Sequence, residues 1–296
     1  MLCDCHIHFI PQELGSKTTF YKGVWTDKAK LHDFLDQSNI DKAFLVYPST
    51  DATAKMTEQE EAMIYNQAAQ ELMHENKKII AAGLLDFNDE ENLSEQVTIL
   101  AESGFKAVSV ASSHKGSFIL PKLTDLFEAC EKHKLAIFVH PQAINPIGFD
   151  RGKDPLLMPV LEYSFDVSMC LGLLMMEGVL EKYGVNFIFA SLGGVAPFLK
   201  DRFDRVYPML LARGMVKDLG KTPSQILRKV YVDTSGASLK NIELAIELFG
   251  EDKILWGSDY PVNPPIADNL KMLDGLVAGV KAKVTSANFL KLFSAG

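Results

Sequence analysis

Eight short apolar runs punctuate this chain, and each is followed by a stretch whose apolar residues fall at helical spacing. The first ends in Asp4-Cys5-His6-Ile7-His8, and the others are Lys42–Tyr47, Lys78–Leu85, Phe105–Ala111, Leu135–Val139, Asn186–Ala190, Val230–Val232 and Ile254–Trp256. Between them the pattern predicts helices over Lys28–Ser38, Glu58–Glu75, Glu91–Ser103, Lys122–His133, roughly Val160–Lys182, Pro197–Met215, Asn241–Phe249 and from Ala267 onward. Apolar runs with no polar alternation are the mark of strands buried on both faces, which requires helices on the faces of a parallel sheet. Eight such units in series predict an α/β fold, a (β/α)8 TIM barrel. A doubly wound open sheet is the alternative, but no GxGxxG sequence follows the first run. The length of 296 residues allows one barrel or two smaller domains, and the short connections without a linker favour one domain over 1–296.

In a barrel, reactive groups gather where strands end. Residues two apart on a strand point to one face, so His6 and His8 present two imidazoles side by side, half of a metal site. His140 closes the fifth run and Asp259 follows the eighth. Three imidazoles and a carboxylate at strand ends suit one divalent ion of the zinc type.

Net charge is −8 with Lys and Arg scattered among acidic residues, which excludes a nucleic-acid surface. A small anionic substrate remains compatible, because a pocket's field is set locally. Cys3, Cys5, Cys130 and Cys170 form no CxxC and read as reduced thiols of a cytoplasmic protein. Strand alternation places Cys3 and Cys5 opposite Asp4, His6 and His8. Asp4 and the histidines interrupt any signal-like apolar stretch, and the apolar segment Val167–Leu180 is broken by Glu177 and too short to span a bilayer, so no membrane association is expected. The long connection from Ile10 to about Thr26 reads as a lid or substrate loop.

Taken in order, Asp4-x-His6-x-His8, Val139-His140-Pro141, Gly193-Gly194 with Pro197, and Gly257-Ser258-Asp259-Tyr260-Pro261 resemble the amidohydrolase superfamily. The chain is most similar to the group containing aminocarboxymuconate-semialdehyde decarboxylase, the hydroxybenzoate decarboxylases and related hydrolases. Weaker echoes are Glu177-Gly178, Val232-Asp233-Thr234-Ser235-Gly236 and Ser286-Ala287-Asn288. The resemblance implies that His6, His8, His140 and Asp259 hold one divalent ion, usually zinc, and it implies a homodimer. The fourth strand ends Val110-Ala111-Ser112-Ser113, with no bridging carboxylate or lysine for a second ion. Members of the family commonly carry an acid/base histidine after strand six, where this chain has Ser191. A hydroxyl donates a hydrogen bond but does not shuttle protons near neutral pH. Either Asp259 alone moves the proton, or His114 on the loop after strand four substitutes, or activity is low.

On these residues the leading expectation is a metal-dependent hydrolase acting on an amide, lactone or similar bond of a small carboxylate-type substrate, with a metal-activated water as nucleophile and Asp259 as proton carrier. A metal-dependent decarboxylase is the second reading and a ligand-binding pseudo-enzyme the third. Trp25, His114 and Tyr260 are candidate substrate contacts, Trp25 as a cover over a planar ligand. Arg202 matches an arginine frequent in relatives, with a surface ion pair as its alternative.

Overall fold

In the computed structural model, residues 1–18, 20–48, 56–152, 154–262 and 266–293 are described. The strands are β1 (Cys3–Ile7), β2 (Lys42–Leu45), β3 (Ile79–Gly83), β4 (Ala107–Ala111), β5 (Ala136–His140), β6 (Phe187–Phe189), β7 (Tyr231–Asp233) and β8 (Ile254–Leu255). They lie parallel in sequence order, each bonded to the next. Backbone bonds from Cys5 N to Trp256 O (2.8 Å) and from His8 N to Tyr260 O (2.8 Å) bring the first strand to the last. This is the expected (β/α)8 barrel.

Each strand is followed by at least one helix, the principal ones being α1 (Lys28–Gln37), α2 (Glu58–Glu75), α3 (Leu93–Glu102), α4 (Thr124–His133), α5 (Tyr163–Met176), α6 (Lys200–Leu211), α7 (Leu239–Phe249) and α8 (Asn288–Phe293). Their starts are written locally. Asp27 and Ser238 accept from amides of the first turns of α1 and α7, and Thr57 with Glu60 forms a reciprocal capping box on α2. Their ends explain why strands begin later than the apolar runs. Phe105 and Leu135 belong to the helix stops, donating back to Leu100 O (3.1 Å) and Cys130 O (2.9 Å) across the left-handed residues Gly104 and Lys134. Ile40 does the same to Leu35 O (2.9 Å) across Asn39. Such stops use an apolar residue to cover the last turn, so it reads as strand in sequence.

Two apolar layers result. Cys3, Cys5, Phe44, Val46, Ala82, Ala107, Ala136, Phe138, Ile188, Tyr231 and Leu255 come from all eight strands and fill the barrel interior. A larger shell, including Leu31, Leu35, Leu72, Val97, Phe127, Leu174 and Phe249, packs the helices onto its outside. The end of the barrel where strands begin is closed by α8. Phe289 packs into the interior layer, Phe293 meets Phe44 with ring centres 4.7 Å apart, and Asn288 donates to Ile254 O and Glu251 O, both at 2.8 Å.

Strict alternation fails on β1. Its register against β2 shifts between Asp4 and Ile7, the signature of a bulge. Cys5 joins the interior layer, yet His6 also meets Phe138 of that layer, 5.2 Å between ring centres. Cys5 and His6 therefore do not face opposite ways, contrary to expectation. The helix after β5 also differs from the sequence reading. It is continuous from Met158 to Met176, 19 residues, and by length and composition alone is long enough to cross a membrane. One side of it packs on the barrel through Val167, Cys170, Leu171 and Leu174.

Candidate functional site

At the end of the barrel where strands stop, His6 at the end of β1, His8 just beyond it and His140 at the last position of β5 converge, with one ring nitrogen of each within 4.8 Å of the others. All three are buried. Each Nδ1 has its own acceptor: for His6 the Asp233 Oδ2 at 2.8 Å and Ser235 Oγ at 2.9 Å, for His8 the Val46 carbonyl at 2.9 Å, for His140 the Pro141 carbonyl at 2.9 Å. A proton fixed on Nδ1 leaves the Nε2 lone pair for a ligand, the tautomer that metal-bound histidines adopt. The Nε2 atoms of His6 and His8 stand 3.0 Å apart, and Asp259 Oδ1 lies 3.2 Å from the second and 3.7 Å from the first.

Two lone pairs at that distance need a cation between them. Burial disfavours a charged His6, but Asp233, followed by Asp259 and Asp4, outweighs it and holds the imidazole up to about 9. Burial, followed by the charge of His6, lowers His8, whose bond to Asp259 opposes the shift. Burial and the charges of His8 and His6 drive His140 well below its usual range. Burial would raise Asp259, but His8, His6 and His140 keep its carboxyl below the ordinary value. The donor set of three imidazoles and one carboxylate fits a divalent ion.

The support is built from neighbouring loops. Asp233, the last residue of β7, accepts at Oδ2 from His6 and at Oδ1 from the amides of Ser191 (3.0 Å) and Ser235 (2.9 Å). Asp4 Oδ1 accepts from the amides of His6 and Ser258, both at 3.0 Å, and ties β1 to the loop after β8. Ser112 N donates to His140 O at 2.8 Å, and the Ser112 hydroxyl bonds Asp166 of α5, whose other oxygen accepts from Ile147 N at 3.1 Å. Asp233 had no role in the sequence reading beyond a weak family echo. Its signal was a carboxylate closing the seventh apolar run.

The remaining expected residues distribute unevenly. Trp25 is buried and its ring stacks on His8, centres 5.6 Å apart and planes 25° from parallel, with Tyr21 edge-on behind it at 4.6 Å. The connection carrying it is not structureless: it contains a helical turn at Gln12–Gly15 and a 3-10 turn at Gly23–Thr26, joined to β1 by Ile10 N to Trp25 O, 2.9 Å. Ser191 enters through its backbone amide, its φ of +50° turning the chain after β6 toward Asp233. Tyr260 points its ring at Phe34 of α1, stacked at 4.1 Å. His114 pairs with Glu58 at 2.9 Å, and Lys115 shares that carboxylate at 2.9 Å. Arg202 lies on α6 beside an apolar groove of about 710 Å³ that none of the three histidines lines.

Residues 3–293 match the Amidohydrolase family. The chain is 26% identical over 207 residues to the 2-amino-3-carboxymuconate-6-semialdehyde decarboxylase of Dictyostelium discoideum, an alignment covering 68% of this chain and 56% of that relative's length. Its fold is similar to 5-carboxyvanillate decarboxylase of Sphingomonas paucimobilis (TM-score 0.86, 18% identity, 99% of this chain and 98% of that one). It is also similar to the 5-carboxyvanillate decarboxylase of Novosphingobium aromaticivorans complexed with manganese and 4-hydroxy-3-methoxy-5-nitrobenzoic acid (TM-score 0.85, 20% identity, 99% and 96% covered). These relatives are decarboxylases, so the expectation of a hydrolase is corrected: the resemblance points to carbon–carbon rather than amide or lactone cleavage. The physical reason it misled is that ligands for a Lewis acid serve either reaction, and the ligand motifs dominate the sequence signal.

Proposed function

The chain belongs to the amidohydrolase family, and from that premise we propose that it is a metal-dependent, non-oxidative decarboxylase of a small, planar carboxylate such as a hydroxybenzoate. The observation that carries this reading is the convergence of three Nδ1-anchored imidazoles and Asp259 beneath the flat face of Trp25. His6, His8, His140 and Asp259 are the residues that would hold the ion, zinc or manganese by donor type. When bound, it supplies a Lewis acid for the substrate's carboxylate and a neighbouring oxygen.

The chain's own residues do the rest. Trp25 packs on His8 and, held in turn by Tyr21, keeps that imidazole in place. Loss of CO2 leaves the bonding electron pair on carbon, and that carbon must receive a proton. Asp259 is the ionisable group beside the imidazoles that is not itself an imidazole or Nδ1 anchor, and its carboxyl collects a proton from the substrate hydroxyl or solvent and delivers it to that carbon. Ser191, engaged through its amide, leaves this duty with Asp259. Asp233 keeps His6 in the ligand tautomer throughout.

The test is CO2 release from a panel of hydroxybenzoates and related carboxylates by metal-loaded protein. Asp259→Asn should abolish it. Metal bound at full stoichiometry with no CO2 from any member of the panel would sink the proposal.

A further inference from the structure

His6 and His140 are anchored differently. His6 has a carboxylate directly on its Nδ1, from Asp233 at 2.8 Å. His140 turns its Nδ1 to the Pro141 carbonyl at 2.9 Å, an acceptor that belongs to the loop leaving β5. That carbonyl shares one rigid peptide plane with the amide of Gln142. The Gln142 amide donates to Ser112 Oγ at 3.1 Å, and the Ser112 hydroxyl donates in turn to Asp166 Oδ2. Every donor in this series points the same way, from the imidazole through a peptide and a hydroxyl to a carboxylate. Ser112, His140 and Asp166 are all buried.

We propose that Asp166 is the carboxylate partner of His140, a positioning residue that acts through Ser112 and the Pro141–Gln142 peptide to set the imidazole for a divalent ion. Hydrogen bonds linked in one direction away from water polarise one another. A carboxylate at the far end makes Ser112 Oγ a better acceptor, and through the peptide it does the same for the Pro141 carbonyl. The proton is thereby held on Nδ1, and Nε2 becomes the better donor to a cation. Both ends of the series are fixed. Ser112 N donates to His140 O at 2.8 Å, and Asp166 Oδ1 accepts from Ile147 N at 3.1 Å. The rival account is a plain loop tie, since Asp166 and Tyr163, one turn apart on α5, bond Ile147 N and Ala143 O of the loop after β5. That tie runs through the Ile147 arm of Asp166 and the proposed series through the Ser112 arm, so substitution separates them. The proposal rests on the metal site of the reading above and not on its reaction.

Zinc affinity by chelator competition, read beside the melting of the metal-free protein, tests this without any substrate. Asp166→Asn keeps an oxygen for the Ser112 hydroxyl but removes the charge. Ser112→Ala removes the link and leaves the Ile147 bond to Asp166 in place. Each should weaken zinc roughly tenfold or more. The double variant D166N/S112A should lose no more than the weaker single variant, because both substitutions cut the same series. Ser112→Thr keeps a hydroxyl and should bind zinc as wild type does, whatever its melting temperature. Unchanged affinity in both single variants overturns the proposal, as do losses that add in the double variant or a Ser112→Thr as weak as Ser112→Ala. Weak zinc in Asp166→Asn with wild-type affinity in Ser112→Ala overturns it in favour of the loop tie. A wild type that takes up no zinc sinks the metal site and the proposal together. The expected losses of zinc, with no CO2 from any substrate, would uphold Asp166 in this role and sink only the reaction.

Discussion

The two ends of the barrel are built on opposite principles. Where the strands begin, the interior is closed by Phe289, Phe293 and Phe44 over small residues such as Cys3, Ala107 and Ala136, with Asn288 bonding the backbone it covers. Where they end, the interior holds Asp4, His6, His8, His140 and Asp233, nearly all out of water. The loops there bear non-glycine residues in the left-handed region, Ser191, Leu192 and Asp259. Burial of rings favours folding, whereas buried ionisable groups and left-handed side-chain residues cost stability, on the order of 1–2 kcal/mol for each of the latter. The floor stabilises the fold and the rim spends part of that stability on an arrangement that a cation completes. A column of rings, Phe293, Phe44, Phe138 and His6, connects them.

The sharpest expected effect follows from removing a rim ligand. His140→Ala should reduce bound metal from about one equivalent to near zero and lower turnover by roughly a thousandfold or more. The metal-free protein should melt within a few degrees of wild type, because the lost imidazole is a buried polar group crowded by two others. Metal analysis with thermal melts checks both halves. At the floor, Phe289→Ala should cost about 3–5 kcal/mol of stability in urea titrations while leaving metal stoichiometry intact. If metal is lost along with stability, the ring column couples the ends and the division is too simple. Between these lies Asp233→Asn, which keeps the shape but removes the carboxylate that anchors His6. Metal affinity should fall about 10–100-fold in chelator competition. An unchanged affinity would mean that Ser235 Oγ alone fixes the imidazole.

The floor and the rim were not equally legible. The barrel and the placement of His6, His8, His140 and Asp259 at strand ends could be read because they depend on periodicity and on residues whose chemistry is rare. Lone strand-end carboxylates are not rare, so nothing in the chain distinguishes Asp233, which anchors a ligand, from an ordinary end-of-strand residue. The β1 bulge was invisible because one extra residue in the ladder leaves no compositional mark, and it reversed the reading of Cys5. Phe105 and Leu135 misled for another reason, since an apolar helix stop and the first residue of a buried strand look alike. The chemistry was least legible of all. A Lewis-acid site serves hydrolysis and decarboxylation with the same ligands, and the bond that breaks depends on what the pocket around them admits.

The smallest expected effect concerns a rim group that should behave like a floor group. Glu58 opens α2 and joins it to the loop after β4 through His114 and Lys115. Partial burial would raise its carboxyl, but the bonds from His114 and Lys115 outweigh burial and hold it at about 2, against an ordinary 4.5. A carboxyl depressed in the folded state adds stability that is fully present above pH 4.5 and lost as pH falls toward 2. Because the pair is partly exposed, the contribution is small and screened by salt. Glu58→Gln should therefore lower the melting temperature by a degree or two near pH 6, flatten its dependence between pH 4.5 and 2, and leave CO2 release unchanged. A change in kcat instead, with no change in acid stability, would move His114 from the scaffold of the rim into its chemistry.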